Sequence, residues 1–250
     1  MSSSKAMDST QGEASSVGPY TVYAAGGLFT QDELAMNVML KEAVWRLSNG
    51  RFQLFLPQSR ELREFDRPDI EAYIRNDDLV EVVKADIVTV RFDGLELDSG
   101  TVVEFITAKS LGKPTVILRC DFRRLSGTGL AEPYNLMVKN WPRNAVVHTD
   151  AFMMYSRLFA QEREALGKGD AFQATMKAEL GAILKCIDQL AQQMIDGMEA
   201  AIAMPSPYPP EYQEMVYRAF RYCPGGGFDH MLTEEELAET IQKLRKSGTL

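Results

Sequence analysis

The chain has 250 residues, of which 45% are hydrophobic and 25% charged, and a net charge of −8. That fits one globular domain with additions or one domain plus a small second unit, and the acidic balance argues against a nucleic-acid polymer or an anionic membrane as main partner. No run of 18 apolar residues exists, so no transmembrane helix is expected. Three widely spaced cysteines (Cys120, Cys186, Cys223) argue against a disulfide framework and for a reducing, cytoplasmic setting. His148 and His230 stand in no Cys/His cluster, so neither a metal nor another cofactor is expected.

In chain order, Met1 to Gly18 is rich in Ser, Gly and Ala, lacks an apolar stretch, and reads as a disordered tail rather than a secretory signal. Tyr20 to Ala25 predicts a strand ended by Gly26-Gly27, and Thr30 to Leu47 carries helical spacing. A second strand is expected over Phe52 to Pro57, a helix over Asp69 to Lys84, and a third strand over Ile87 to Phe92. The next helix opens near Asp98-Ser99, with Ser99 as its expected cap, and Gly112 and Pro114 close it. Thr115 to Arg119 and Ala145 to His148 complete five strands. Strands alternating with helices, and apolar on both faces, predict an α/β fold. We expect a flavodoxin-like five-stranded parallel sheet with helices on both faces and ligands at the carboxyl ends of the strands.

This α/β unit is expected to span residues 19–150, followed by a helical C-terminal extension over 151–250. Within the extension, Ala171 to Ala203 predicts a long helical segment broken by Gly181 and Gly197, and Met204 to Pro210 a rigid linker. Two more helices are expected over Glu211 to Tyr222 and Thr233 to Lys246, the latter opening with a Thr233/Glu236 capping box. The extension could pack on the sheet, bind a copy of itself or recruit a partner.

Several residues invite a chemical reading. Glu104 stands among Val102, Val103, Phe105 and Ile106, so it is either a partnered structural carboxylate or a functional one whose proton affinity its pocket sets. Asp78 reads as a solvated helix residue or an acid, and Asp98 as a complement to the helix dipole or an acid. Tyr23, near the end of the first strand, could be a core tyrosine or could orient a nucleophile. Ala25-Gly26-Gly27-Leu28-Phe29 matches no phosphate-binding fingerprint but could let a ligand approach the backbone, whereas Gly225 to Gly227 reads as a turn. Together the acids suit cleavage of an N-glycosidic bond, in which one carboxylate captures an oxocarbenium-like centre and another acid protonates the departing base.

Tyr23 to Thr30, Asn76-Asp77-Asp78, Asp98 to Glu104, Gly112-Lys113-Pro114 and Asn135-Leu136-Met137, in that order over about residues 20 to 150, resemble the nucleoside 2-deoxyribosyltransferases. The resemblance implies a double displacement on a 2′-deoxyribonucleoside and a purine or pyrimidine base. Carried over, it makes Glu104 the nucleophile, Tyr23 its positioning partner, and Asp78 and Asp98 the acids around the base. Gly27, Leu28, Phe29 and Gln58 would line the pocket. Asn135, with Met137, would reach the sugar from a neighbouring subunit, implying a homo-oligomer with shared sites. Two features depart from the pattern: one hundred residues follow Asp150, and Phe105-Ile106 follows Glu104 where small residues are usual. A hydrolase of nucleoside 5′-monophosphates and a non-catalytic nucleotide-binding module are the alternative readings.

Overall fold

A computed structural model describes residues 18–60, 67–94, 96–121, 135–166 and 171–250. Apart from Gly18, the expected tail lies outside them. The strands are β1 (Tyr20–Ala25), β2 (Phe52–Phe55), β3 (Ile87–Arg91), β4 (Thr115–Arg119) and β5 (Asn144–His148). They pair in parallel in the order β2-β1-β3-β4-β5, the flavodoxin-like order.

Alternation along each strand sorts the side chains into two cores. Val22, Leu54, Ile87, Val116 and Leu118 face α1 (Gln31–Leu47), while Tyr23, Val88, Val90 and Ile117 face α2 (Ile70–Lys84) and α3 (Ser99–Ser110). Thr30 and Glu33 form a capping box that starts α1 just past the Gly26-Gly27 turn. A short 3-10 turn, Pro57–Ser59, replaces the end of the expected second strand.

The helices beyond Asp150 pack on two sides of the molecule, one long helix directly on the sheet and the last three on helix α2. A helix absent from the sequence reading, α4 (Ala151–Leu166), leaves the carboxyl end of β5, and α5 (Ala171–Ala203) returns beside it. α5 is one uninterrupted helix, contrary to the expected breaks at Gly181 and Gly197. Both glycines mark close approaches instead. A Cβ on Gly197 would lie 3.1 Å from Val116 and 3.2 Å from Val147, and one on Gly181 would strike the Glu162 carboxylate at 2.6 Å. The C-terminal part of α5 (Ile187, Leu190, Ala191, Met194, Met198) completes the α1-side core.

On the opposite side lie α6 (Pro210–Phe220), the short α7 (Phe228–Met231) and α8 (Glu234–Ser247). Their Tyr217, Phe228, Leu237, Ile241 and Leu244 pack against Leu79, Val80 and Val83 of α2. The turn over Gly225 to Gly227 has three successive left-handed residues (φ 62°, 55° and 80°), and Asn76 anchors it by donating to the Gly226 carbonyl at 2.7 Å. No helix among the described residues is long and apolar enough to cross a membrane.

Candidate active site

The second core face brings the sequence-selected acids together. Tyr23 is fully buried on β1, beside β3, and Glu104 reaches it from the middle of α3. The tyrosine hydroxyl donates to Glu104 Oε1 at 2.5 Å. Burial pushes the Glu104 carboxyl up to about 7, the Tyr23 hydrogen bond opposes this, and the charges of Asp78 and Asp98 add to it. Burial, with Glu104 and Asp78, pushes the Tyr23 phenol far above its ordinary range, so it remains a donor.

Asp78 comes from α2, the helix next to α3. Burial raises its carboxyl above the usual carboxylate range; Arg60 opposes that and Glu81 adds to it. Arg60 was not singled out in the sequence. Its guanidinium meets Asp77, approaches Asp78 at 4.0 Å and Glu81 at 3.5 Å, and lies 5.1 Å from the Phe55 ring centroid. Phe55 in turn stacks on Tyr23 with centroids 5.9 Å apart. Arg60, Phe55 and Tyr23 therefore form one layered wall beside the acids. The only local hint of Arg60 was a basic residue three positions past Pro57.

Asp98, rather than Ser99, caps α3. Its Oδ2 accepts from the Thr101 amide at 2.7 Å and the Thr101 hydroxyl at 2.8 Å, and Ser99 is the first helical residue. The carboxylate is solvent-exposed and still acts electrostatically on Glu104.

The glycine turn is held from the α1 side. Asn37 donates to the Gly27 carbonyl at 3.2 Å and to Gln58 Oε1 at 2.8 Å, while Gln58 donates to the Leu34 carbonyl at 3.1 Å. Gln58 thus braces the turn through Asn37. A Cβ on Gly27 would lie 2.0 Å from Glu33, so the capping box itself requires glycine there. Leu28 is half-buried, and Phe29 stands 79% exposed. Asn135 accepts from the Met137 amide at 2.9 Å and opens the 3-10 turn Leu136–Val138, whose Leu136 and Met137 are 71% and 70% exposed. Among the described residues no His/Cys/Asp/Glu group is arranged to hold a metal ion.

Residues 22–139 match the family described as Nucleoside 2-deoxyribosyltransferase. No curated protein matches the chain. Among solved structures, a conserved protein from Enterococcus faecalis V583 matches with TM-score 0.43 at 23% identity, covering 54% of this chain and 95% of its own. A 2-deoxyribosyltransferase from Bacillus psychrosaccharolyticus gives TM-score 0.41 at 20% identity, over 62% of this chain and 95% of its own. The 2-desoxiribosyltransferase from Leishmania mexicana gives 0.39 at 22%, over 57% and 98% respectively.

Proposed function

Through residues 22–139 the chain belongs to the nucleoside 2-deoxyribosyltransferase family, and from that premise we propose that it exchanges bases on 2′-deoxyribonucleosides through a deoxyribosyl–Glu104 intermediate. The observation that carries this reading is the 2.5 Å contact between Tyr23 and a Glu104 whose carboxyl sits near 7. A nucleophilic carboxylate must be ionised yet poorly solvated, and a neutral tyrosine donor satisfies one oxygen while leaving the other to attack.

In the first half-reaction, ionised Glu104 forms a bond to C1′ as the C1′–N bond breaks. The electron pair goes to the base nitrogen, which takes a proton from Asp78. Burial keeps that proton on Asp78 at a higher pH than an exposed aspartate would allow. The second base then attacks C1′, returns its proton to Asp78 and releases Glu104. Asp98 faces the base from the start of α3, and Gly27, Leu28 and Phe29 form the pocket rim. The exposed Asn135 and Met137 complete a neighbouring copy's site in a homo-oligomer, a reading that size-exclusion chromatography with light scattering tests.

Incubation with thymidine and adenine, followed by chromatography, tests the main reading. Deoxyadenosine and thymine are expected, with a deoxyribosyl adduct on acid-quenched protein that Glu104→Ala lacks. Base release from deoxynucleoside monophosphates alone would replace transfer with hydrolysis, and no turnover of either would leave a binding module.

A further inference from the structure

A cavity of about 160 Å³ opens at the carboxyl edge of the sheet on the face opposite Glu104. Its walls are apolar: Met154 and Tyr155 of α4, and Ile183, Ile187 and Leu190 of α5. Its polar groups are Arg91 at the end of β3, Asp93 just beyond it, Cys120 after β4 and the Cys186 thiol of α5. Nothing in the chemistry at Glu104 uses it.

Arg91 is the unusual element. Its side chain is only 12% exposed, yet among the described residues its guanidinium makes one long hydrogen bond, to the Gly27 carbonyl at 3.5 Å, and one 3.8 Å contact to Asp93 Oδ2. A guanidinium carries five N–H donors, and a charge this buried is normally well satisfied. Asp93 is different: its Oδ1 accepts from the Cys120 amide at 2.6 Å and the Asp121 amide at 3.2 Å, which fixes the carboxylate and leaves Oδ2 toward Arg91. Among the described residues the cavity thus presents a spare donor beside a spare acceptor, Asp93 being 35% exposed at its mouth and the helix walls mostly apolar.

We propose that this cavity binds a neutral single-ring heterocycle with a carbonyl oxygen next to an N–H, the imide edge of a free pyrimidine base such as thymine. The size suits one ring, since an apolar cavity of about 150 Å³ accommodates benzene. The Arg91–Asp93 pair has no net charge, so an added carboxylate would sit beside Asp93 uncompensated in an apolar surrounding. An imide edge matches both groups: its oxygen accepts from Arg91 and its N–H donates to Asp93 Oδ2. The ring methyl of thymine then lies on the Met and Ile walls. Because Arg91 also holds the Gly27 carbonyl, which it shares with Asn37, the site is linked to the glycine turn of the Glu104 pocket.

Isoleucine methyl NMR on the full chain reads the cavity directly, since Ile183 and Ile187 line it and a base bound at Glu104 leaves it empty. Thymine is expected to shift both signals saturably, 1,3-dimethylthymine, which has no N–H beside a carbonyl, to bind at least tenfold more weakly, and Arg91→Met to weaken thymine at least tenfold. Absence of a saturable shift would overturn the proposal. So would equal binding of thymine, 1,3-dimethylthymine and benzene, which would make the cavity a plain apolar void, or tightest binding of benzoate, which would make Arg91 an anion site. Should Arg91→Met fail to fold, the ligand series on the unsubstituted protein decides.

Discussion

Glu104 carries two opposed consequences of one environment. Its carboxyl lies near 7 instead of the ordinary 4.5, so its ionised form, the attacking one in the proposed mechanism, accumulates only as pH passes about 7, and the proposed transfer should climb through that point. Tyr23→Phe removes the hydrogen bond that favours the carboxylate. The rising limb of the kcat profile should then move to higher pH, each unit corresponding to about 1.4 kcal/mol of lost preference for the charged form. Stability runs the other way. Between about 4.5 and 7 the folded chain holds more protons than the unfolded one, so the Glu104 contribution falls as pH rises through that window. Glu104→Gln should therefore abolish transfer while raising Tm at pH 8, and an unchanged or lower Tm would show that the side chain is not strained by its burial. Asp78→Asn, which retains shape and loses the proton, should lower kcat by about 10²–10⁴-fold, read in the same base-exchange assay. Glu104 as a buried, partnered carboxylate was legible in the sequence because a lone acid in an apolar helix contradicts its neighbours. Arg60 was not, because its importance arises only when α2 brings Asp77, Asp78 and Glu81 to it.

At the level of elements, the five strands and the helices between them were readable because their apolar periods are plain and turn residues punctuate them. The errors have local causes. Asp98 and Ser99 are both good caps standing side by side, and only the position of the first helical turn chooses between them. Asp98→Ala should cost about 1 kcal/mol of stability through loss of the Thr101 contacts, whereas Asp98→Ser can replace the cap. The serine variant separates the two roles: if it keeps Tm but loses base exchange, Asp98 acts on the substrate as well as on the helix. In α5 the glycines read as breaks because glycine is a poor helix former. Contact supplied what propensity could not show, since Gly197 lets the helix settle on Val116 and Val147. Gly197→Leu should be destabilising by about 1–3 kcal/mol, as overpacked core positions are, and thermal unfolding measures it.

Across the whole molecule, Asp86 joins β1 to the last helix, a role that its sequence position just before β3 did not announce. It is 1% exposed. Its Oδ2 accepts from the Thr21 amide at 2.8 Å and hydroxyl at 2.7 Å, fixing β1, and lies 3.1 Å from Lys243 of α8. Its Oδ1 accepts from Ser247 at 2.7 Å. Nearby, Arg143 donates to the Thr249 carbonyl at 2.7 Å and the Gly112 carbonyl at 3.2 Å, and the buried Lys113 lies over the Tyr217 ring. These contacts hold the last helices against the amino end of the sheet, so the extension is bound to the α/β unit by polar groups as well as by its apolar core. Burial acts to raise the Asp86 carboxyl, but Lys243, Ser247 and Thr21 together hold it below the usual carboxylate range. A depressed carboxyl contributes stability that is present above its unfolded value of about 3.8 and is lost as pH falls through the folded value. Asp86→Asn keeps the shape but removes the charge facing Lys243, and loss of one partner from a buried pair costs about 3–5 kcal/mol. Because Lys243 is partly exposed, the lower end applies. Denaturant unfolding at pH 7 should show that loss, and the difference between the two proteins should shrink as the pH is taken below 4. A difference that stayed constant down to pH 2 would mean that Asp86 acts through shape and hydrogen bonding alone.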